Sequence, residues 1–506
     1  MRLFSKYGPL VRAGPRQLGV GQVGLFRKMM SSHEMTKSQM YSDFAVMGEN
    51  IFTTRDAEFN KRRRRQIGPA FTKPSISRME PLVYGDGIQQ VCNLFDKQIA
   101  AADGAHAVTN LYFAFTMMTT DIISSLALGH RIGAVNMLVD KLQLQASTDT
   151  VELKRSDSGM GELAQAQAQT QTQDGDELLE TPENVMKFTV GTMMLMGLMA
   201  ELPWIRRLPA WLRPSGIKKL YELRDGLDVF SQSTAARRRA QLQGRAAGGL
   251  HGEFPRHDIL KALIEARDHK TGAMLTDKNI ASEITVLLAA GTDTVSNALV
   301  SCYRLLLRHP AVYQRLKDEV REAHPVGNGT SVITFAQAQQ LPYLMAVVYE
   351  TLRLRASTSG AWPRNAPAGG LWLDGHYVPE GVVLYGSVGG THLDEATWEN
   401  ARSFRPERFL GAAGEARRGD VMAFSSGVRI CPGRHLGLME MALALGSTVR
   451  LYDFSFADDG AADALVDGSR GASACADDVD EVCRITTGYA FPERDCNFRV
   501  SHAAVC

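Results

Sequence analysis

Phe424-Ser425-Ser426-Gly427-Val428-Arg429-Ile430-Cys431-Pro432-Gly433 is the stretch that decides how this chain is read. A lone Cys stands in a glycine-rich, sharply turning run. An Arg lies two residues before it, an aromatic seven before it, and a helix-like run follows over 435–451. The thiolate is the form of cysteine that ligates metals, and its charge needs nearby donors. The glycines let backbone amides turn towards the sulfur. Phe424 can cover the sulfur and limit water. Arg429 is placed to meet a carboxylate, where the paired bonds are strong and directional. The plain alternative is a structural Cys buried in a turn, and the patterning of the whole stretch argues against it.

Three further segments stand out when reading away from this loop. The most apolar long run, 281–307, reads as a buried helix. Ala290-Gly291-Thr292-Asp293-Thr294 sits in its middle. Gly and a charged residue are both costly there, and such a conflict between local rules marks a functional site. Glu350-Thr351-Leu352-Arg353 lies in a helical run from 341. Alone this pair says little, since many exposed helices carry one. It gains force from Phe404-Arg405-Pro406-Glu407-Arg408-Phe409 downstream. Near the start, 58–71 carries Lys61-Arg62-Arg63-Arg64-Arg65. Such a run is more often a solvated helix face or a targeting signal.

Taken in order, these segments resemble the cytochrome P450 family over residues 6–456. The resemblance implies a mostly α fold with a smaller β region, one triangular, helix-rich domain across 1–506. Haem b would lie between the oxygen-binding helix and the Cys loop. Cys431 would ligate the iron, with Phe424, Gly427 and Gly433 shaping its loop. Arg429, Arg64 and Arg364 would meet the haem propionates. Asn60 stands where the family usually places an aromatic or His contact. Ala290 and Gly291 would form a kink that makes room for dioxygen. Asp293 and Thr294 would relay protons. Glu350, Arg353 and Arg408 would form a buried charged network that holds the Cys loop. Arg62, Arg63 and Arg65 are expected to face outward beside Arg64.

Composition agrees with a globular chain: 506 residues, 44% hydrophobic and 22% charged. The net charge of +1 names no partner and gives no reason to expect nucleic acid. Seven cysteines over this length are too sparse for a disulfide scaffold. No signal-length apolar core opens the chain. The stretch 188–200 is too short to span a bilayer. The resemblance starts just after the point where microsomal members have a membrane helix and hinge. The expectation is therefore no transmembrane anchor in this chain, and a place in the cytoplasm or on the cytoplasmic face of the endoplasmic reticulum.

Local patterns complete the map. The run 164–176 alternates Ala, Gln and Thr, as a low-complexity loop would. The region 186–212, with its methionines, Trp204 and Trp211, reads as a core helix and turn, or as the roof of a substrate channel that also rests on a membrane. A loop is expected over 235–250 and an amphipathic helix over 258–270. A hairpin is expected over 371–385, with Pro379-Glu380-Gly381 as its turn. The tail 457–484 departs from the family pattern as an insertion, and 485–488 is the candidate for the family's closing hairpin tip.

The function implied is a monooxygenase that places one oxygen atom of O2 into a lipophilic small molecule, in the style of fungal secondary metabolism. Electrons would come from NADPH through NADPH–cytochrome P450 reductase, with cytochrome b5 as a second candidate donor, and the protein would act as a monomer. Leu288, Ala289, Ala290, Thr294, Ser359, Gly360 and Ala361 are the candidate pocket walls. A reductase-independent peroxide-rearranging or dehydrating relative, or an inactive haem-binding protein, are the competing readings.

Overall fold

A computed structural model describes residues 2–139, 181–246, 256–326, 333–457, 481–483, 490–492 and 496–503, apart from the single positions 47, 103, 203, 206, 207 and 359. Seven helices position the site: α1 Ala57–Ile67, α2 Leu111–Leu128, α3 Pro182–Glu201, α4 Ser215–Ala246, α5 Asp277–Arg308, α6 Pro342–Leu354 and α7 Arg434–Leu451. Among the described residues the fold is mostly helical with small sheets, as expected.

The core forms around α5. Thr276 caps its start by accepting from the Asn279 amide. The helix then runs unbroken to Arg308, packed on α2, α4, α6 and α7. α2 starts at the Asn110 cap and stops at Gly129, whose φ of 83° is the left-handed conformation that favours glycine. Several polar groups of α2 find partners on α5 or on the chain that follows. Thr119 Oγ1 donates to the Thr292 carbonyl at 2.8 Å. Asp121, inside α2, accepts from the Ala134 and Val135 amides and so caps the next turn of chain. α2 and α5 are both long and apolar enough to cross a membrane, and both are mostly buried in the protein. They serve here as core helices.

Four strands form the larger sheet in the order β1 (Leu10–Gly14), β2 (Gln17–Val20), β7 (Val383–Ser387), β4 (Ala361–Asn365). β2 and β7 run parallel, the other pairs antiparallel. β3 (Ala107–Asn110) and β8 (Tyr452–Phe456) flank β11 (Asn497–His502) in a second, antiparallel sheet. β5 (Leu371–Leu373) and β6 (His376–Val378) form a hairpin, and β9 (Glu481–Cys483) pairs with β10 (Ala490–Pro492).

Three expectations need correction. The hairpin turn is Asp374-Gly375, with φ of 49° and 74°, not 379–381. Asp-Gly fits a turn that needs two positive φ values, and Pro379-Glu380-Gly381 forms a separate turn before β7, closed by the Val382 amide on the Pro379 carbonyl at 3.3 Å. The expected loop at 235–250 is helical to Ala246, because α4 continues through it. The expected helix over 258–270 is only Ile259–Glu265. It is followed by a turn in which Asp268 accepts from the Lys270 and Thr271 amides. The low-complexity run 164–176 and the tip at 485–488 lie outside the described residues, as does nearly all of 457–480.

Candidate active site

The Cys loop lies against the start of α7. The Cys431 amide donates to the Phe424 carbonyl at 2.9 Å, which closes the turn. Gly427 holds φ of 61°, and a side chain there would meet the Met30 carbonyl oxygen at 2.1 Å. Only glycine fits. Ser425 takes φ of 61° and ψ of −161°, a strained conformation for a residue with a side chain. Cys431 is partly reached by solvent, yet enough protein surrounds the sulfur to raise its pKa. The Gly433 amide, Arg64 and Arg434 act against that rise. The positive end of the α7 dipole begins three residues on, which favours a thiolate as well.

Beside the loop is a group of cations, Arg64, Arg364 and Arg429, that form no ion pair among the described residues; Asp56 acts on Arg429 only from a distance. Arg429 is buried, and none of its three guanidinium nitrogens has a hydrogen-bond partner. Burial, then Arg364 and Arg64, push its pKa down to about 10. Arg364 is 3% exposed and donates to Tyr41 Oη and the Pro363 carbonyl, both at 2.9 Å. Arg64 Nη2 donates to the Ile430 carbonyl at 2.7 Å, while its Nε is buried and unpartnered. Buried polar groups are normally satisfied. One orphaned guanidinium and a second with an unpartnered Nε, beside a partly open thiol, therefore fit a planar metal cofactor that carries carboxylates at its edge.

The basic run divides by helix face. Arg62 and Arg65 are exposed, as expected, but Arg63 is 3% exposed. It pairs with Glu283 of α5 at 3.4 Å and donates to Asn279. One turn of helix separates the outward residues from this inward one. Asn60 is fully buried and donates to the Ile51 carbonyl at 3.2 Å, so its amide serves the local chain.

On α5, Ala290 is exposed in the middle of a helix that is otherwise largely buried. Val286, Leu287, Asp293 and Thr294 are partly exposed around it. Leu288 and Ala289 lie on the buried flank, so these two expected pocket walls face the core. Ser359 and the side chain of Ala361 lie outside the described residues, and Gly360 is partly buried. No break occurs at Gly291. The room left by its missing side chain is filled by Ile123 of α2, whose Cγ1 would stand 2.6 Å from an added Cβ. The glycine thus admits a neighbouring helix. Thr294 Oγ1 donates to the Ala290 carbonyl at 2.7 Å, and Ser357 Oγ donates to the Thr294 carbonyl. Burial alone raises the Asp293 pKa to about 6.

The expected charged network is present. Arg353 donates twice to Glu350, at 2.7 and 2.8 Å, with both side chains fully buried. Arg408 Nε and the Arg405 amide also reach Glu350 Oε1, at 3.0 and 2.8 Å. Arg353 further donates to the carbonyls of His392 and Ala401. Sequence reasoning missed His392. Its ring Nε2 accepts from the Met422 amide at 2.7 Å, two residues before the Cys loop. Burial, then Arg353, lower its pKa to about 3, so the ring stays neutral and can accept. A lone His gives no such signal in sequence.

A thiol loop at a helix start, set beside buried arginines of which Arg429 has no partner, defines a haem-thiolate class of protein. The chain belongs to the cytochrome P450 family, whose model matches residues 2–468. It is similar to cytochrome P450 monooxygenase helB1 of Aspergillus fumigatus, 27% identical over 98% of this chain and 76% of that one. It is similar also to cytochrome P450 monooxygenase acrD of Aspergillus aculeatus, 26% identical over 90% of this chain and 79% of that one. Benzoate 4-monooxygenase bphA of Aspergillus niger is 26% identical over 90% of this chain and 82% of its own. The protein is a P450 monooxygenase.

Proposed function

We propose that this protein is a reductase-dependent haem-thiolate monooxygenase acting on a lipophilic small molecule, by hydroxylation or epoxidation, in fungal secondary metabolism. Residues 1–506 act as one catalytic domain and as a monomer. Bound haem supplies the redox and oxygen-activating chemistry. Cys431 is its thiolate ligand, a ligand type that favours O–O cleavage. Phe424 shields the sulfur, and Gly427, Gly433 and the α7 dipole hold its charge. Arg64, Arg364 and Arg429 take the cofactor's carboxylates. Glu350, Arg353 and Arg408 fix the loop through the chain around His392.

The observation that carries the oxygen-using reading is the pair Asp293 and Thr294 on the one open face of α5. Thr294 orients a hydroxyl into that face, and Asp293, with a pKa raised to about 6, exchanges protons close to neutrality. A chemistry that only rearranges a peroxide has no need of such a relay. Val286, Leu287, Ala290, Thr294 and Gly360 line the apolar substrate space. NADPH–cytochrome P450 reductase is the electron donor, with cytochrome b5 as a second source. The protein works in the cytoplasm or at the cytoplasmic face of the endoplasmic reticulum, where Trp204, Trp211 and Leu212, all exposed, suit a membrane surface.

The test is the ferrous–CO spectrum of the purified protein, followed by turnover with reductase and NADPH. The parent should show the red-shifted thiolate band and Cys431→Ala should not. A band that persists in the variant rejects the ligand. Turnover supported by organic hydroperoxides but never by NADPH and reductase rejects the oxygen-using reading.

A further inference from the structure

The cation group beside the Cys loop has a member with no assigned role. Lys37 is 4% exposed, and a lysine that deep is rare without an acidic partner. Its backbone bridges to that of Arg364. Its ammonium donates to the Phe52 carbonyl and stands 4.6 Å from the centre of the Tyr41 ring and 5.3 Å from that of Phe52. The Arg364 guanidinium stands 5.4 Å from the centre of the same Tyr41 ring. Tyr41 is thus shared between the two cations, and its hydroxyl accepts from Arg364. An ammonium has three donors, and the Phe52 carbonyl takes one.

The electrostatics point the same way. Burial, Arg364, Arg429 and Arg64 together hold the Lys37 pKa well below its ordinary value. No acidic group offsets them at Lys37; Asp56 acts on Arg429 and the Cys431 thiol on Arg64, at one remove. Packing four cations together with so little opposing charge is unfavourable. The arrangement becomes favourable when a dianion docks among them.

We propose that Lys37 is a fourth ligand of the cofactor's carboxylates, placed by Tyr41 beside Arg364 and acting through charge. The proposal rests on the haem-thiolate reading above. It assigns the 36–41 segment, separate in sequence from the Cys loop and the basic helix, to cofactor retention.

The experiment starts from purified holoprotein. Haem release to an excess of apomyoglobin is timed, and the propionate bending bands are recorded by resonance Raman. Lys37→Gln keeps a donor for the Phe52 carbonyl but has no charge; Lys37→Met has neither. Both variants should release haem about tenfold faster, the loss of one charge-assisted bond, and should shift the propionate bands. The iron–thiolate CO spectrum should stay that of the parent. If Lys37→Gln releases haem at the parent rate with unmoved bands, Lys37 only braces the Phe52 turn and the proposal is overturned. Lys37→Gln decides the matter even where Lys37→Met fails to fold. A parent without the thiolate–CO band would instead sink the haem-thiolate reading, before either variant is compared.

Discussion

At the residue scale, the acid–alcohol pair on α5 makes two separable demands. Thr294 gives its hydroxyl proton to the Ala290 carbonyl, so the group is held by the helix and can rotate when a better acceptor arrives. Thr294→Ala should keep haem and NADPH consumption. Product per NADPH should fall by about an order of magnitude or more, with hydrogen peroxide rising in its place. Thr294→Ser should recover most of the coupling. Equal coupling in Thr294→Ala and the parent would place the proton path elsewhere. Asp293 adds a pH signature. Its folded pKa of about 6 lies above the ordinary 3.8, because burial disfavours the charge. That cost is absent below the ordinary value, grows between the two, and is complete above pH 6. Asp293→Asn should therefore stabilise the fold at pH 8, by about 1–3 kcal/mol, and the gain should vanish near pH 4. Denaturant midpoints at both pH values check this; an equal gain at both would show that the carboxylate is not buried. Residues of this kind were legible because they break local rules. Lys37 and His392 were not, since only packing against Tyr41 and Met422 gives them a role.

At the scale of elements, α6 and the segments around it behave as one clamp. Glu350 takes bonds from Arg353, Arg408 and the Arg405 amide, while Arg353 reaches the chain at His392, Ala401 and Ser403. Removing one partner of a buried pair leaves the other charge uncompensated, a loss of about 3–5 kcal/mol. Glu350→Ala strands two guanidinium groups at once. It should yield little haem-loaded protein, measured as haem per polypeptide after purification. Normal loading would show that the pair is dispensable. The same scale explains which elements the sequence revealed. α5, α6 and α7 follow from apolar runs bounded by caps and prolines. The length of α4 was obscured by the basic, glycine-containing stretch near its end, where Arg238 pairs with Asp258 and Arg239 with Asp277 and the Leu275 carbonyl. Two turn signals compete within 371–385, and Asp374-Gly375 closes the β5–β6 hairpin because it supplies two positive φ values that Pro379-Glu380 does not.

For the whole molecule, the distribution of charge matters more than the net of +1. Arg64 on α1 donates to the Ile430 carbonyl, so this helix lies directly against the Cys loop. Arg62 and Arg65 are on its outward face and line a hollow with Asp268, His269 and Lys270, where cations outnumber the one acid. An α-helix is only about 10–12 Å across with its side chains. A redox partner seated on that hollow would stand about one helix width from the cysteine, close enough for electron transfer to the cofactor. Arg63 belongs to a different task, since its pairing with Glu283 ties α1 to α5. The docking test must therefore leave it alone. Arg62→Glu, Arg65→Glu and Lys270→Glu together should slow reduction by an acidic flavin partner at low salt, and the difference should shrink as salt rises, because such charges act chiefly on association. Peroxide-driven turnover and the CO spectrum should not change, since none of the three touches the loop. Stopped-flow reduction at two ionic strengths gives the answer. Parent-like rates for the triple variant at low salt would move the docking face to another side of the molecule. Loss of haem in that variant would instead mean that α1 no longer holds the Cys loop, which separates a failed interface from a failed fold.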